Sequence, residues 1–200
     1  MTDRDGFTFG QQVKLPPLPA QQHFAYYAGM EINAPVPRLR NKSFRFTAQV
    51  DYKQGDSGVL FACGFNIGGY VFYVEDGKLC FHYNYVTSEF TDAVSSIPLP
   101  DGKHIFGFNL DFKAPGEAVG YVTIDGERAG DVVSFNDTAF NVKSCIGVGR
   151  YSSSPVKLAH KSYGNYFPYS GSYSRVDLHI ASPETIEDYM AALKYHSDIE

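Results

Sequence analysis

The chain has 200 residues, 44% of them hydrophobic and 20% charged, which suits one domain with a real buried core and excludes a disordered chain. A formal net charge of −5 excludes a nucleic-acid binder, which needs a basic stripe to neutralise phosphates. No apolar run reaches membrane-spanning length, and MTDRDGFTFG at the start has neither the charged nor the apolar region of a secretory signal. A cytoplasmic location follows for the chain if it is complete, and no membrane or nucleic-acid partner is expected.

Residues 1–42 read as an extended, proline-rich arm packed on the domain. KLPPLPAQQ and NAPVPRLR are spaced by prolines that exclude helix and central strand, while HFAYYAGM between them supplies rings to hold the arm against the fold. The pattern then changes to period two, and residues 43–181 read as a β-sandwich. SFRFTAQVDY alternates Phe44, Phe46, Ala48, Val50 and Tyr52 on one side with Arg45, Thr47, Gln49 and Asp51 on the other. SGVLFACGF follows as a more buried strand, and IFGFNLDF turns Phe106, Phe108, Leu110 and Phe112 inward. Hairpins are expected around Asp76-Gly77 and Asp125-Gly126, because both residues of a two-residue turn need positive φ and Asp-Gly tolerates it.

From Cys145 the chain is rich in Gly, Ser, Tyr and Pro as far as Gly171, an excursion long enough to mark a binding loop. SRVDLHIA closes the sheet with Val176, Leu178 and Ile180 inward and Arg175, Asp177 and His179 in solvent. Residues 182–200 read as a C-terminal helix, with Ser182 as N-cap, Pro183 in the first position, and Ile186, Tyr189, Met190 and Leu193 as its apolar stripe. Turn signals about every ten residues make the whole an all-β, antiparallel jelly-roll sandwich with that short helix.

The hairpin GGYVFYVEDGKLCFHYN (68–84) shows where chemistry could sit. With Asp76-Gly77 at the turn, Val74 faces Leu79, Phe72 faces Phe81 and Tyr70 faces Tyr83, and these six form a core ladder. The reverse face carries Tyr73, Cys80, His82 and Asn84, with Glu75 and Lys78 as a surface ion pair. A histidine titrating near neutral pH and a tyrosine suit acid–base work or ligand stacking. Tyr73, His82 and Asn84 are therefore candidate ligand contacts. Asn109 and Asp111 join them from the non-core face of a strand placed beside the hairpin, where Asp111 would orient His82. Arg150, Tyr151, His160, Tyr163 and Tyr166 in the long loop complete the candidate set, with Tyr169 as a further ring there. If the protein is an enzyme, His82, Tyr73 and Asp111 are its expected acid–base groups. No Cys-x-x-Cys pair, nucleophile elbow, phosphate loop or calcium-loop run occurs, so neither a metal nor a cofactor is expected, and Cys63, Cys80 and Cys145 read as reduced structural thiols.

SGVLFACG, YVFYVEDGKLCFHYNY, IPLPDGKHIFGFNLDF and GYVTIDGERAG follow one another in an order that resembles laminin-G or concanavalin-like sandwiches over residues 57–133. More narrowly, DRDGF near the start, YYAGM (26–30), LRNKSF (39–44) and FPYSGSYSRVDL (167–178) resemble the C-terminal accessory domain of bacterial arylsulfatases. That resemblance implies a concanavalin-like fold and an accessory or binding role, with a carbohydrate or aromatic ligand or a sulfatase-like catalytic subunit as partner. The departures are specific. No Cys is followed by the Cys/Ser-x-Pro-x-Arg pattern that sulfatases mature into formylglycine, so this chain is not itself a sulfatase. VGRYSSSPV also stands where an acidic residue and TGSPV are usual. The rival roles are a small cofactor-independent lyase, isomerase or cyclase built on the same sandwich, and a structural homodimer joined through the arm or the helix.

Overall fold

A computed structural model describes residues 23–28, 30–32, 39, 41–114, 116–135, 146–164 and 167–181. The helix expected over 182–200, most of the arm, Cys145 and Tyr166 lie outside the described residues. Among the described residues the chain forms thirteen strands and one short 3-10 helix. The strands are β1 (His23–Tyr27), β2 (Glu31–Ile32), β3 (Phe44–Tyr52), β4 (Gly58–Phe65), β5 (Gly68–Glu75), β6 (Lys78–Tyr85) and β7 (Glu89–Val94). They continue as β8 (Gly102–Ala114), β9 (Glu117–Ile124), β10 (Glu127–Arg128), β11 (Val133–Phe135), β12 (Ile146–Val148) and β13 (Ser172–Ile180), with the 3-10 helix at Leu158–Tyr163.

These strands make two antiparallel sheets packed face to face. The first runs β1-β13-β3-β8-β9-β10, with β11 also on β9; the second runs β2-β12-β4-β5-β6-β7. The fold is an antiparallel β-sandwich. The sticky segment HFAYYAGM contributes β1, which pairs along β13 from His23↔His179 to Tyr27↔Arg175, so this part of the arm is an edge strand.

The β5–β6 register is the one the Asp-Gly turn dictates. Val74 pairs with Leu79, Phe72 with Phe81 and Tyr70 with Tyr83. Asp76 (φ 51°) and Gly77 (φ 67°) take the left-handed conformations of a type I′ turn, whose twist matches the flanking strands. The ladder residues lie in the inter-sheet core with Phe46, Phe61, Phe106, Phe108 and Phe135. Phe81 and Phe108 come from opposite sheets and stack at 3.6 Å between centroids, so the rings that gave the chain its aromatic composition are what joins the layers. A bulge between Val59 and Phe61 turns the consecutive Leu60 and Phe61 both inward.

One expected neighbour relation is corrected. β8, which carries Asn109 and Asp111, pairs with β3 and β9 in the first sheet, whereas His82 lies on β6 in the second. Asp111 therefore sits on the opposite layer and cannot orient His82. Chain order suggested adjacency, but the connection after β7 crosses from one sheet to the other.

Candidate functional site

The outer faces of the two sheets differ. On the second sheet, residues 150–164 and 167–169 of the 150–169 segment fold back over β4, β5 and β6. Val59, Ala62, Val71, Tyr73, Cys80, Tyr151, Val156 and Phe167 form a second apolar core beneath it. The segment is pinned at its far end, where Val59 N donates to Phe167 O at 3.0 Å. Gly58 (φ +121°) permits this approach, since a Cβ there would meet the Pro168 carbonyl at 2.3 Å. Asn84, expected as a ligand contact, instead donates to Val156 O at 3.0 Å and Asn66 O at 3.3 Å, tying the segment to β6.

Beneath and beside this cover lies a polar cluster, with Asp92 exposed at its rim. His82 Nδ1 is 3.0 Å from Asp92 Oδ1, and Lys157 Nζ donates to Tyr73 OH at 2.5 Å and to Asp92 at 3.4 Å. Tyr151 OH and His160 Nδ1 are 2.7 Å apart, while His160 Nε2 lies 3.7 Å from Glu75 Oε2 without a hydrogen bond. Tyr73, Tyr151, His160 and Asn84 are all essentially inaccessible, and His82 is nearly so. Burial pushes His160 down to about 4, against the opposing charge of Glu75. Burial likewise raises the Tyr73 hydroxyl and pushes the Cys80 thiol up to about 12. At Asp92, burial favours the neutral acid, but the hydrogen bond and charge of His82 and the charge of Lys157 outweigh it and lower the pKa.

Thus Tyr73, His82, Asn84, Tyr151 and His160 are brought together, but beneath the loop. Tyr163 is half exposed at the rim, stacked on Phe167 at 4.3 Å between centroids, and Arg150 is exposed. Glu75 and Lys78 do not form the expected surface pair. Glu75 turns to His160, and Lys78 Nζ donates to Ser96 O at 3.1 Å. The carboxylate that meets His82 is Asp92, which the β6–β7 register places directly opposite it.

On the first sheet no segment among the described residues covers the outer face. Strand pairing aligns His23, His179, Arg45, Asn109 and Tyr121 in one row across β1, β13, β3, β8 and β9. All five alternate outward, so a line of five hydrogen-bonding side chains crosses the sheet. A groove of about 340 Å³ follows the row, lined by Ser43, Arg45, Asn109, Asp111, Tyr121 and His179 among others. The buried Asn109 Oδ1 has no hydrogen-bond partner, so that atom does not hold the amide in place. The next row is smaller, with Ala25, Asp177, Thr47, Gly107 and Thr123 in register.

The expectation that Asp177 stands in solvent is also corrected: it is 3% exposed, held between His23 Nε2 at 2.8 Å and Arg175 Nε at 2.7 Å. Burial first, then the charges of His23 and Arg45, lower the pKa of His179. Alternation showed that Arg45, His179 and Asn109 point outward, but nothing in the chain showed that they meet.

No protein-family model matches the chain, and no curated protein sequence matches it. Among solved structures, the mouse laminin α1 chain (domains LG4-5) aligns at TM-score 0.50 and 13% identity, over 80% of this chain and 39% of that one. The fold is therefore that of a laminin-G-type sandwich. The CBM40 of Ruminococcus gnavus IT-sialidase, bound to α2,3 sialyllactose, aligns at TM-score 0.49 and 12% identity over 80% of this chain and 94% of its own. Domain 4 of the Geobacillus stearothermophilus arabinanase AbnA, in complex with arabinotriose, aligns at 0.47 and 15% over 74% and 66%.

Proposed function

We propose that the protein is a ligand-binding module and that its binding surface is the outer face of the first sheet. The observation that carries this reading is the register-aligned row His179–Arg45–Asn109–Tyr121 along an open groove. Arg45 and Asn109 offer several donors, Asp111 offers acceptors, and Tyr121 offers a ring with a polar tip. Donors, acceptors and a flat ring on a rigid sheet suit a polyhydroxylated ligand, and a carbohydrate is the class that fits. The groove's volume lies within the range of about 300–1,000 Å³ typical of small-ligand sites.

The rival reading, a cofactor-independent lyase, isomerase or cyclase, would draw on His82, Tyr73, Asp92, Lys157 and His160. Tyr73, His82 and His160 are buried, Lys157 belongs to the 150–169 segment and Asp92 is exposed beside it, so a substrate would reach the buried histidines and tyrosine only by lifting a segment anchored by its own apolar core. The test is glycan-array screening of the chain followed by calorimetry on hits, with Arg45→Ala, Asn109→Ala and Tyr121→Ala variants. Binding lost in these variants but kept in Lys157→Ala supports the proposal. Binding lost only in Lys157→Ala, or no glycan bound at all, removes it.

A further inference from the structure

We propose that His23, Asp177 and His179 form a binding site for a divalent transition-metal ion of the zinc class at the edge of the first sheet. Three features of the fold bring them together. His23 and His179 are paired directly across β1 and β13, and their rings lie face to face with centroids 4.2 Å apart. Asp177 is two residues before His179 on the same face of β13, and one ligating atom from each of the three lies within 4.8 Å of the others. Ala25 stands opposite Asp177 in the register, so only a methyl group flanks the carboxylate on the β1 side.

The chemistry of the donor set selects the ion. Two imidazoles and one carboxylate suit zinc, nickel or copper, whereas calcium takes six to eight oxygens. Arg175 Nε holds Asp177 Oδ2 at 2.7 Å, which leaves Oδ1 to bind and orients it, as outer-shell partners of metal-ligating carboxylates do. Arg175 also offsets the charge of Asp177, which removes the net negative field on which a hard cation depends. Zinc bonds of about 2.0–2.2 Å place tetrahedral donors roughly 3.3–3.6 Å apart. His23 Nε2 already lies 2.8 Å from Asp177 Oδ1, so the closure falls to the histidine rings. Because the two rings lie parallel and a ring-nitrogen lone pair lies in its ring plane, one ring must turn to meet a shared ion, and the His23 side chain is 51% exposed. On binding, the ion replaces the proton shared between His23 and Asp177, and the fourth position faces solvent.

Such an ion would clip β1 to β13. It does not depend on the ligand-binding reading, because the metal alone is the probe. Zinc chloride titrated into the chain by calorimetry is expected to bind one to one, with nickel also binding and calcium not. His23→Ala and His179→Ala are each expected to weaken zinc at least tenfold, while His104→Ala leaves it unchanged. His23→Ala sits on an exposed edge and keeps the test sound even if a change at buried Asp177 unfolds the protein; circular dichroism checks the fold of each variant. Zinc should also raise the thermal midpoint of the parent chain and not of His23→Ala. Zinc affinity equal in His23→Ala, His179→Ala and parent, or no binding below millimolar zinc, overturns the proposal.

Discussion

The two outer faces are built from the same kind of residue and end in opposite states. Each carries tyrosine, histidine and a carboxylate at alternating strand positions, as the wet side of an antiparallel sheet commonly does. On the second sheet the 150–169 segment adds Tyr151, Val156 and Phe167, and Tyr73, His82 and His160 become buried, with His160 held neutral. The described residues lay no such segment over the groove of the first sheet, and its row stays presented in order. Composition alone would not separate the two. A covering loop turns a surface into a core.

The largest expected effect breaks that contrast on the covered side. Tyr151→Ala removes a fully buried ring and the hydrogen bond to His160 and should cost about 3–5 kcal/mol in denaturant unfolding. A cost under about 1 kcal/mol would mean that the segment contributes little to the fold. His160 gives the next effect. Its folded pKa of about 4 lies below the ordinary histidine value, so its stabilising contribution is complete above about pH 6.5 and is lost as pH falls toward 4. Stability should fall by up to about 1.4 kcal/mol per pH unit from this group in that window. His160→Phe should remove that slope, measured as the difference between variant and parent.

On the open side the same chemistry should barely touch stability. Arg45→Ala is expected to change unfolding free energy by no more than about 0.5 kcal/mol while weakening ligand at least tenfold. Equal losses of stability and binding would make the row structural. The smallest effect contrasts a second histidine with His160. His104 Nδ1 donates to Asp125 Oδ2 at 2.7 Å, and that hydrogen bond raises its pKa. Its contribution is full below about pH 6.5 and is lost as pH rises through the raised value, the reverse of His160. For a pair this exposed the contribution should stay below about 1 kcal/mol, read as the pH dependence of the thermal midpoint in His104→Ala.

Much of the fold was legible because strands write their periodicity locally. The alternation from Phe44 to Tyr52 and the Asp76-Gly77 turn were enough to place the Tyr70, Phe72, Val74, Leu79, Phe81 and Tyr83 ladder in register and on the core side. The same local rule pointed Arg45, Asn109 and His179 outward. What it could not carry was which strand lies beside which. Asp111 was matched to His82 across a sheet boundary, and Asp92, the carboxylate that does meet His82, was within reach of the β6–β7 register. Lys157 reaches Tyr73 from 84 residues away, and no local pattern foretells it.

The sequence by itself determined the strand content, the turns, and which side of each strand is apolar, because these follow from steric preferences and side-chain period over a few residues. Tertiary structure decided which of two similar polar faces was covered and which side chains were drawn into one row. Those outcomes depend on pairings such as His23↔His179 and on a segment folding back from about seventy residues further on. Their energy comes from burial and register across the whole sandwich, which no short stretch of the chain contains.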